Sequence, residues 1–219
     1  MTSDGEGLAA LARLGLRAVP VVSRGDDFVH AVDLAAVARF LDLATPAAPA
    51  LAPDELVARL DVILVAALCS WCQIPPDKLN DNVRNRDRIL LGLGHHIFRV
   101  VEAMLDAAGG RELRETDFTA PPPSGMTNVE AVADYGDAVR ARVKAWWDGE
   151  ADPLARRAVA TYYGPQSLHE LLERTCWHAA QHVRQLAMAL QDLGIAPARP
   201  LTEAELSGLP LPDKVWDTE

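Results

Sequence analysis

The chain has 219 residues, 49% of them hydrophobic and 24% charged, enough for one ordinary domain with a well-filled core plus a small appendage. Lysine and arginine number 21 against 31 aspartates and glutamates, a formal net charge of −10, and no basic stripe offsets it, which argues against a nucleic-acid partner. Aromatics are only 5% while alanine and leucine abound, so helix is favoured over sheet.

Residues 1–7 lack the basic stretch of a signal peptide, and no run of about eighteen apolar residues is present. Three cysteines do not suggest a disulfide framework. These features lead us to expect a cytoplasmic protein with a small-molecule partner and no contact with membrane or nucleic acid.

Residues 8–15 have helical composition. Ala18 to Val22 reads as a short strand, Ser23 to Asp27 as a turn, and Phe28 to Val32 as a second strand. Asp33 can cap a helix over 34–43. The proline-rich stretch 44–53 is a linker, so residues 1–46 form a small α+β unit and 47–219 a second domain.

From Pro53 onward the pattern is helical throughout. The first long helix starts there and runs to about Ile74, where Pro75-Pro76 stops it. A polar stretch, 78–88, leads into a second helix that ends at Gly109-Gly110. Asn128 opens a third, which ends near Gly149, and 153–166 form a connection. The fourth, from Leu168, meets no glycine before Gly194, and the tail from Pro200 reads as a short turn and a strap. Four amphipathic helices of this length most economically make a four-helix bundle.

Two of these helices carry the candidate chemistry. At about 100° per residue, Leu168, Leu171, Leu172, Ala179, Val183, Leu186 and Leu190 share one face of the last helix. His182 lies within that stripe and His178 on its border, one turn apart and able to share an ion. A pair of core-edge histidines engaged only in hydrogen bonds would give the same pattern. The second helix adds a third: His96 borders the stripe of Leu93, Ile97, Val100, Val101 and Met104, whereas His95 points away from it, toward solvent or a neighbour. One histidine from one helix and a pair from another make a three-nitrogen site with open coordination positions, the pattern of a catalytic rather than a structural metal.

The His-Ile of the second helix and the Trp-His-x-x-x-His-x-x-Gln-Leu of the last resemble the DinB family, also called DinB/YfiT-like metalloenzymes, over residues 53 to roughly 195. The resemblance implies a mainly α fold, a DinB-like four-helix bundle, with a divalent metal (zinc, nickel or iron) on His96, His178 and His182. It also implies a low-molecular-weight thiol such as mycothiol, bacillithiol or glutathione, used by a transferase or isomerase on a small electrophile. Related bundles often pair, so the resemblance admits a homodimer. A non-catalytic metal-binding module, or a metal enzyme using water without a thiol, would carry the same three histidines.

The segment 8–43, with its Val19-Pro20 followed by a hairpin and a helix, is similar to the C-terminal half of a glutaredoxin, a family in which that Val-Pro peptide is cis. The first strand and the Cys-x-x-Cys of a glutaredoxin are missing, so the resemblance implies a structural remnant, or else a surviving thiol-binding platform, rather than a redox enzyme. Cys69-Ser-Trp-Cys72 falls mid-helix without a second pair, which favours ordinary packing over zinc or redox chemistry. Cys176 lies about 160° from His178 and is no ligand to the same ion. Arg84, Arg86, Asp87, Tyr162 and Tyr163 could line the mouth of the site or be solvated loop residues.

Overall fold

The computed structural model describes residues 5–16, 21–31, 34–43, 51–84 and 88–216. The chain divides into two compact units, Met1–Ala48 and Pro49–Glu219.

In the first unit, α1 (Gly5–Arg13) precedes a hairpin of β1 (Val21–Arg24) and β2 (Asp27–His30), and α2 (Leu34–Phe40) follows. The strands are antiparallel, with Val22 opposite Val29. The two-residue turn between them needs Gly25, whose φ of +66° suits a left-handed position that other residues adopt at a cost. Ala38 of α2 is buried, and the Arg24 guanidinium lies 5.8 Å from the Phe40 ring centroid. The order is the helix, hairpin and helix expected. The Val19-Pro20 peptide, the Asp33 cap and most of the linker (44–50) lie outside the described residues.

The second unit is built on four long helices: α3 (Pro53–Trp71), α4 (Leu90–Ala108), α6 (Val129–Asp148) and α7 (Leu168–Asp192). Between α4 and α6 lies one short turn of helix, α5 (Thr116–Thr119). Helices α3 and α4 each pack against both α6 and α7. Local chemistry sets the starts. Pro53 occupies the first turn of α3, where a missing N–H costs nothing. Asn128 caps α6 by accepting from the Ala131 amide at 2.8 Å. Ser167 and Glu170 form a reciprocal capping box at the start of α7. Helix α3 ends at Trp71, a little short of Ile74, because Cys72 and Gln73 already turn before the prolines.

Two mid-helix glycines, each disfavoured by about 1 kcal/mol against alanine in a free helix, are explained by close approach. A Cβ on Gly94 of α4 would lie 2.3 Å from the Trp71 ring. One on Gly136 of α6 would lie 2.6 Å from Phe98 and 2.9 Å from Leu68. Trp71 is fully buried and donates its indole N–H to the Val129 carbonyl at 2.9 Å, which ties α3 to the start of α6. Gly94 therefore lets α4 settle against this ring, two residues before His96.

The expectation of helix alone beyond Pro53 is corrected in one place. The connection 153–166 contributes β3 (Ala158–Val159), which pairs with β4 (Gln166–Ser167). Strands of two residues leave no alternation to read. The tail forms α8 (Glu203–Leu206) and then the expected strap along α7. Arg184 donates to the Pro212 and Asp213 carbonyls, and Gln181 to those of Lys214 and Val215. Among the described residues no helix is long and apolar enough to cross a membrane.

Candidate metal centre

Where α4 packs against α7, the side chains of His96, His178 and His182 meet. One nitrogen from each can be chosen so that no pair is more than 4.8 Å apart. The His178 and His182 Nε2 atoms are 3.0 Å apart, and the His96 ring centroid lies 5.4 Å and 4.6 Å from those of His178 and His182. His96 is buried, at 7% exposure, while the other two are half-buried.

The hydrogen bonds around His182 define its tautomer. The Gln185 amide nitrogen donates to the Val215 carbonyl, which can only accept, at 3.2 Å. The amide oxygen therefore faces the ring and accepts from Nδ1–H at 2.7 Å. With the proton on Nδ1, the Nε2 lone pair points at the other histidines. The contact to His178 holds either as an N–H···N bond from that ring or with a cation taking both lone pairs.

All three imidazoles are held neutral. Burial, reinforced by His182, Arg88 and His95, lowers His96 to about 2. Burial also lowers His182 to about 4, against an opposing contribution from Gln185 and with a further push from Arg88. His178 is pushed well below its ordinary value by burial, its two partner histidines, Arg174 and Arg88. Neutral imidazole is the ligating form, so no proton need be displaced at neutral pH.

This donor set fits a divalent cation. Two nitrogens at about 2.0–2.1 Å from a tetrahedral zinc lie roughly 3.3 Å apart, close to the 3.0 Å between His178 and His182. The widest separation exceeds that value by at most about 1.5 Å, a gap that a side-chain rotation of His96 can close. Three protein nitrogens leave positions for water or substrate.

Neighbouring rings hold His178 in place. Phe118 of α5 stacks near-parallel on it at 5.7 Å, and Trp177 at 5.8 Å. Over His96 opens a cavity of about 490 Å³, walled by Ile89, Gly92, Phe118 and the stretch 120–122, with Asn82, Arg88 and Thr119 as its other polar side chains.

A family model described as the DinB superfamily matches residues 72–186, just over half of the chain. The chain belongs to the DinB superfamily. The matched span contains His96, His178, His182 and Gln185. No curated protein matches the chain.

His95 is turned from the DinB histidine group, as its phase indicates, but it goes to a neighbour and not to solvent. It is 3% exposed and stacks on Tyr135 of α6 at 5.5 Å. Cys176 is buried and donates to the Leu56 carbonyl. Cys69 and Cys72 are exposed free thiols, and the Cys72 pKa is raised, by partial burial first and then by Cys69, Asp137 and Glu130, the reverse of an activated thiol. Arg84 pairs with Asp192 at the end of α7. Tyr163 and Tyr162 accept hydrogen bonds from Arg174, and Arg86 and Asp87 lie outside the described residues.

Sequence reasoning gave no role to Gln185, although it stands in the motif of the last helix, nor to Phe118 or Arg88. Only Gln185 left a signal, because it sits three residues after His182 on the same helix and can reach back to its ring. Replacing it with leucine is expected to weaken divalent-metal binding by about 10–100-fold, as loss of an outer-shell partner typically does. Competition with a chromophoric chelator measures this, and an unchanged affinity would remove Gln185 from any role in orienting His182.

Proposed function

We propose that this protein is a metal-dependent enzyme with a DinB-type four-helix bundle, which uses a low-molecular-weight thiol to transfer to, or isomerise, a small electrophile. The observation that supports it best is the convergence of three neutral imidazoles, one of them (His96) lining a cavity of about 490 Å³, in a DinB-superfamily chain. His96, His178 and His182 are the residues that would hold the ion. A divalent cation bound there supplies a Lewis acid that lowers the pKa of a thiol at its open position, giving a nucleophile at neutral pH.

The protein's own part is positioning and exclusion. Gln185 fixes the His182 tautomer, and Phe118 and Trp177 hold the His178 ring. The apolar wall formed by Ile89, Phe118, Ala120, Pro121 and Pro122 limits water around a reacting group and strengthens electrostatic interactions within the cavity. The net charge of −10 supports a small molecule, not nucleic acid, as the partner.

The test is a thermal shift of zinc- or nickel-loaded protein with mycothiol, bacillithiol and glutathione in turn. One of them should raise the melting temperature, with stabilisation growing as the logarithm of thiol concentration above Kd. No stabilisation by any of the three overturns the thiol assignment.

A further inference from the structure

The side chain of Arg88 enters the same cavity as His96 and has no role in the fold that its contacts reveal. Several other arginines of this unit rest on carboxylates (Arg99 and Arg111 on Asp117, Arg140 on Asp61, Arg142 on Glu102 and Arg157 on Glu150), and others on carbonyls or hydroxyls, as Arg184 and Arg174 do. Among the described residues the Arg88 guanidinium has no hydrogen-bonding or ion-pair partner; the residue keeps one side open to solvent, and partial loss of hydration lowers its pKa. No carboxylate is found among the described residues that line the cavity, and the first turn of α4 carries no acidic side chain.

An unpaired cation is disfavoured beside three histidines suited to a second, divalent cation, and the arrangement becomes favourable once an anion arrives. A guanidinium presents paired N–H donors that match the two oxygens of a carboxylate. Asn82 and Thr119 are the other hydrogen-bonding side chains of the wall besides His96, and the Thr119 hydroxyl already reaches the Thr116 carbonyl at 3.5 Å; most of the remaining wall is apolar. One charge, one amide and one hydroxyl suit a carboxylate on a short carbon skeleton. A phosphate dianion, with three oxygens to satisfy, would call for more donors. A cavity of about 490 Å³ lies within the usual range for small-molecule sites.

We propose that Arg88 anchors a carboxylate of the molecule that enters this cavity, so that the substrate or co-substrate is a small organic acid held with its far end over His96, His178 and His182. This deepens the metal-enzyme reading and rests on it only for what happens at that far end. Arg88 is here a binding residue that selects by charge.

The experiment compares propionate, propionamide and inorganic phosphate on full-length protein with its zinc content measured, in wild type, Arg88→Gln and Arg88→Lys. Titration calorimetry or ligand-observed NMR reads the dissociation constants. Arg88→Gln should weaken propionate by about 10-fold or more while leaving propionamide within about 2-fold, and Arg88→Lys should fall between. Any direct contact between propionate and the ion is common to all three proteins and cancels in that comparison. Equal propionate affinity in wild type and Arg88→Gln, or parallel loss for propionate and propionamide, overturns the proposal. So does phosphate binding wild type about 10-fold more tightly than propionate. The measured zinc content separates the two readings: wild type that takes up no zinc yet shows the Arg88 effect sinks only the metal site, and zinc bound without the effect sinks only the anchor.

Discussion

His182→Ala should purify without stoichiometric metal under conditions in which the wild type is loaded with zinc or nickel. The nitrogen removed is 3.0 Å from its partner on His178 and belongs to the ring whose tautomer Gln185 sets. Losing an outer-shell partner alone typically costs about 10–100-fold in affinity, so losing a ligand should cost more than about 100-fold. Truncating a half-buried ring also loosens packing, which could lower metal content indirectly. His95→Ala is the control, because His95 is at least as buried and stacks on Tyr135, yet does not belong to the converging group. Elemental analysis should find metal in His95→Ala and not in His182→Ala. Equal metal in His182→Ala and the wild type would end the three-histidine site, and equal depletion in both variants would attribute the loss to packing.

The phase of two helices was enough to separate His96 from His95 before any coordinates, because a stripe of Leu93, Ile97, Val100 and Val101 leaves one direction for the core. A mainly helical fold was legible for the same reason, because long amphipathic helices repeat their signal over many turns, while the family was legible in the His-Ile and Trp-His-x-x-x-His-x-x-Gln-Leu motifs. What surrounds the histidines was not legible. Helix α5 is four residues long, so Phe118 has no periodicity to place it, and its position on His178 depends on ion pairs that span several elements. Arg88 lies in a polar run with several other charges, and only the packing of Asn82, Arg88, Ile89 and Gly92 beside 118–122 distinguishes it from Arg84, which is held at Asp192. The wheel also could not say that α6 would cover His95, since it describes one helix at a time.

The second large effect is expected at Asp117, which touches neither the histidines nor the cavity. Its carboxylate accepts from Arg99 at 2.7 Å, from Arg111 at 3.0 Å and from the Arg114 amide at 2.8 Å. Burial alone would raise its pKa, but the Arg111 hydrogen bond, the Arg114 amide and the charges of Arg111 and Arg99 together lower it. Breaking a buried ion pair by removing one partner costs about 3–5 kcal/mol. Here Arg99 keeps Glu102 at 3.2 Å and Arg111 keeps Asp106 at 3.1 Å, so Asp117→Ala should fall at or below the lower end, roughly 2–3 kcal/mol in denaturant unfolding. Because Asp117 fastens α5 to α4, the same change should release Phe118 from His178 and open the wall at 119–122. The nitrogens that would hold an ion belong to α4 and α7, so metal binding should be unchanged while the melting temperature drops. A variant within about 0.5 kcal/mol of wild type would show that Glu102 and Asp106 take over the whole load, and metal loss would show that α5 shapes the ligand set itself.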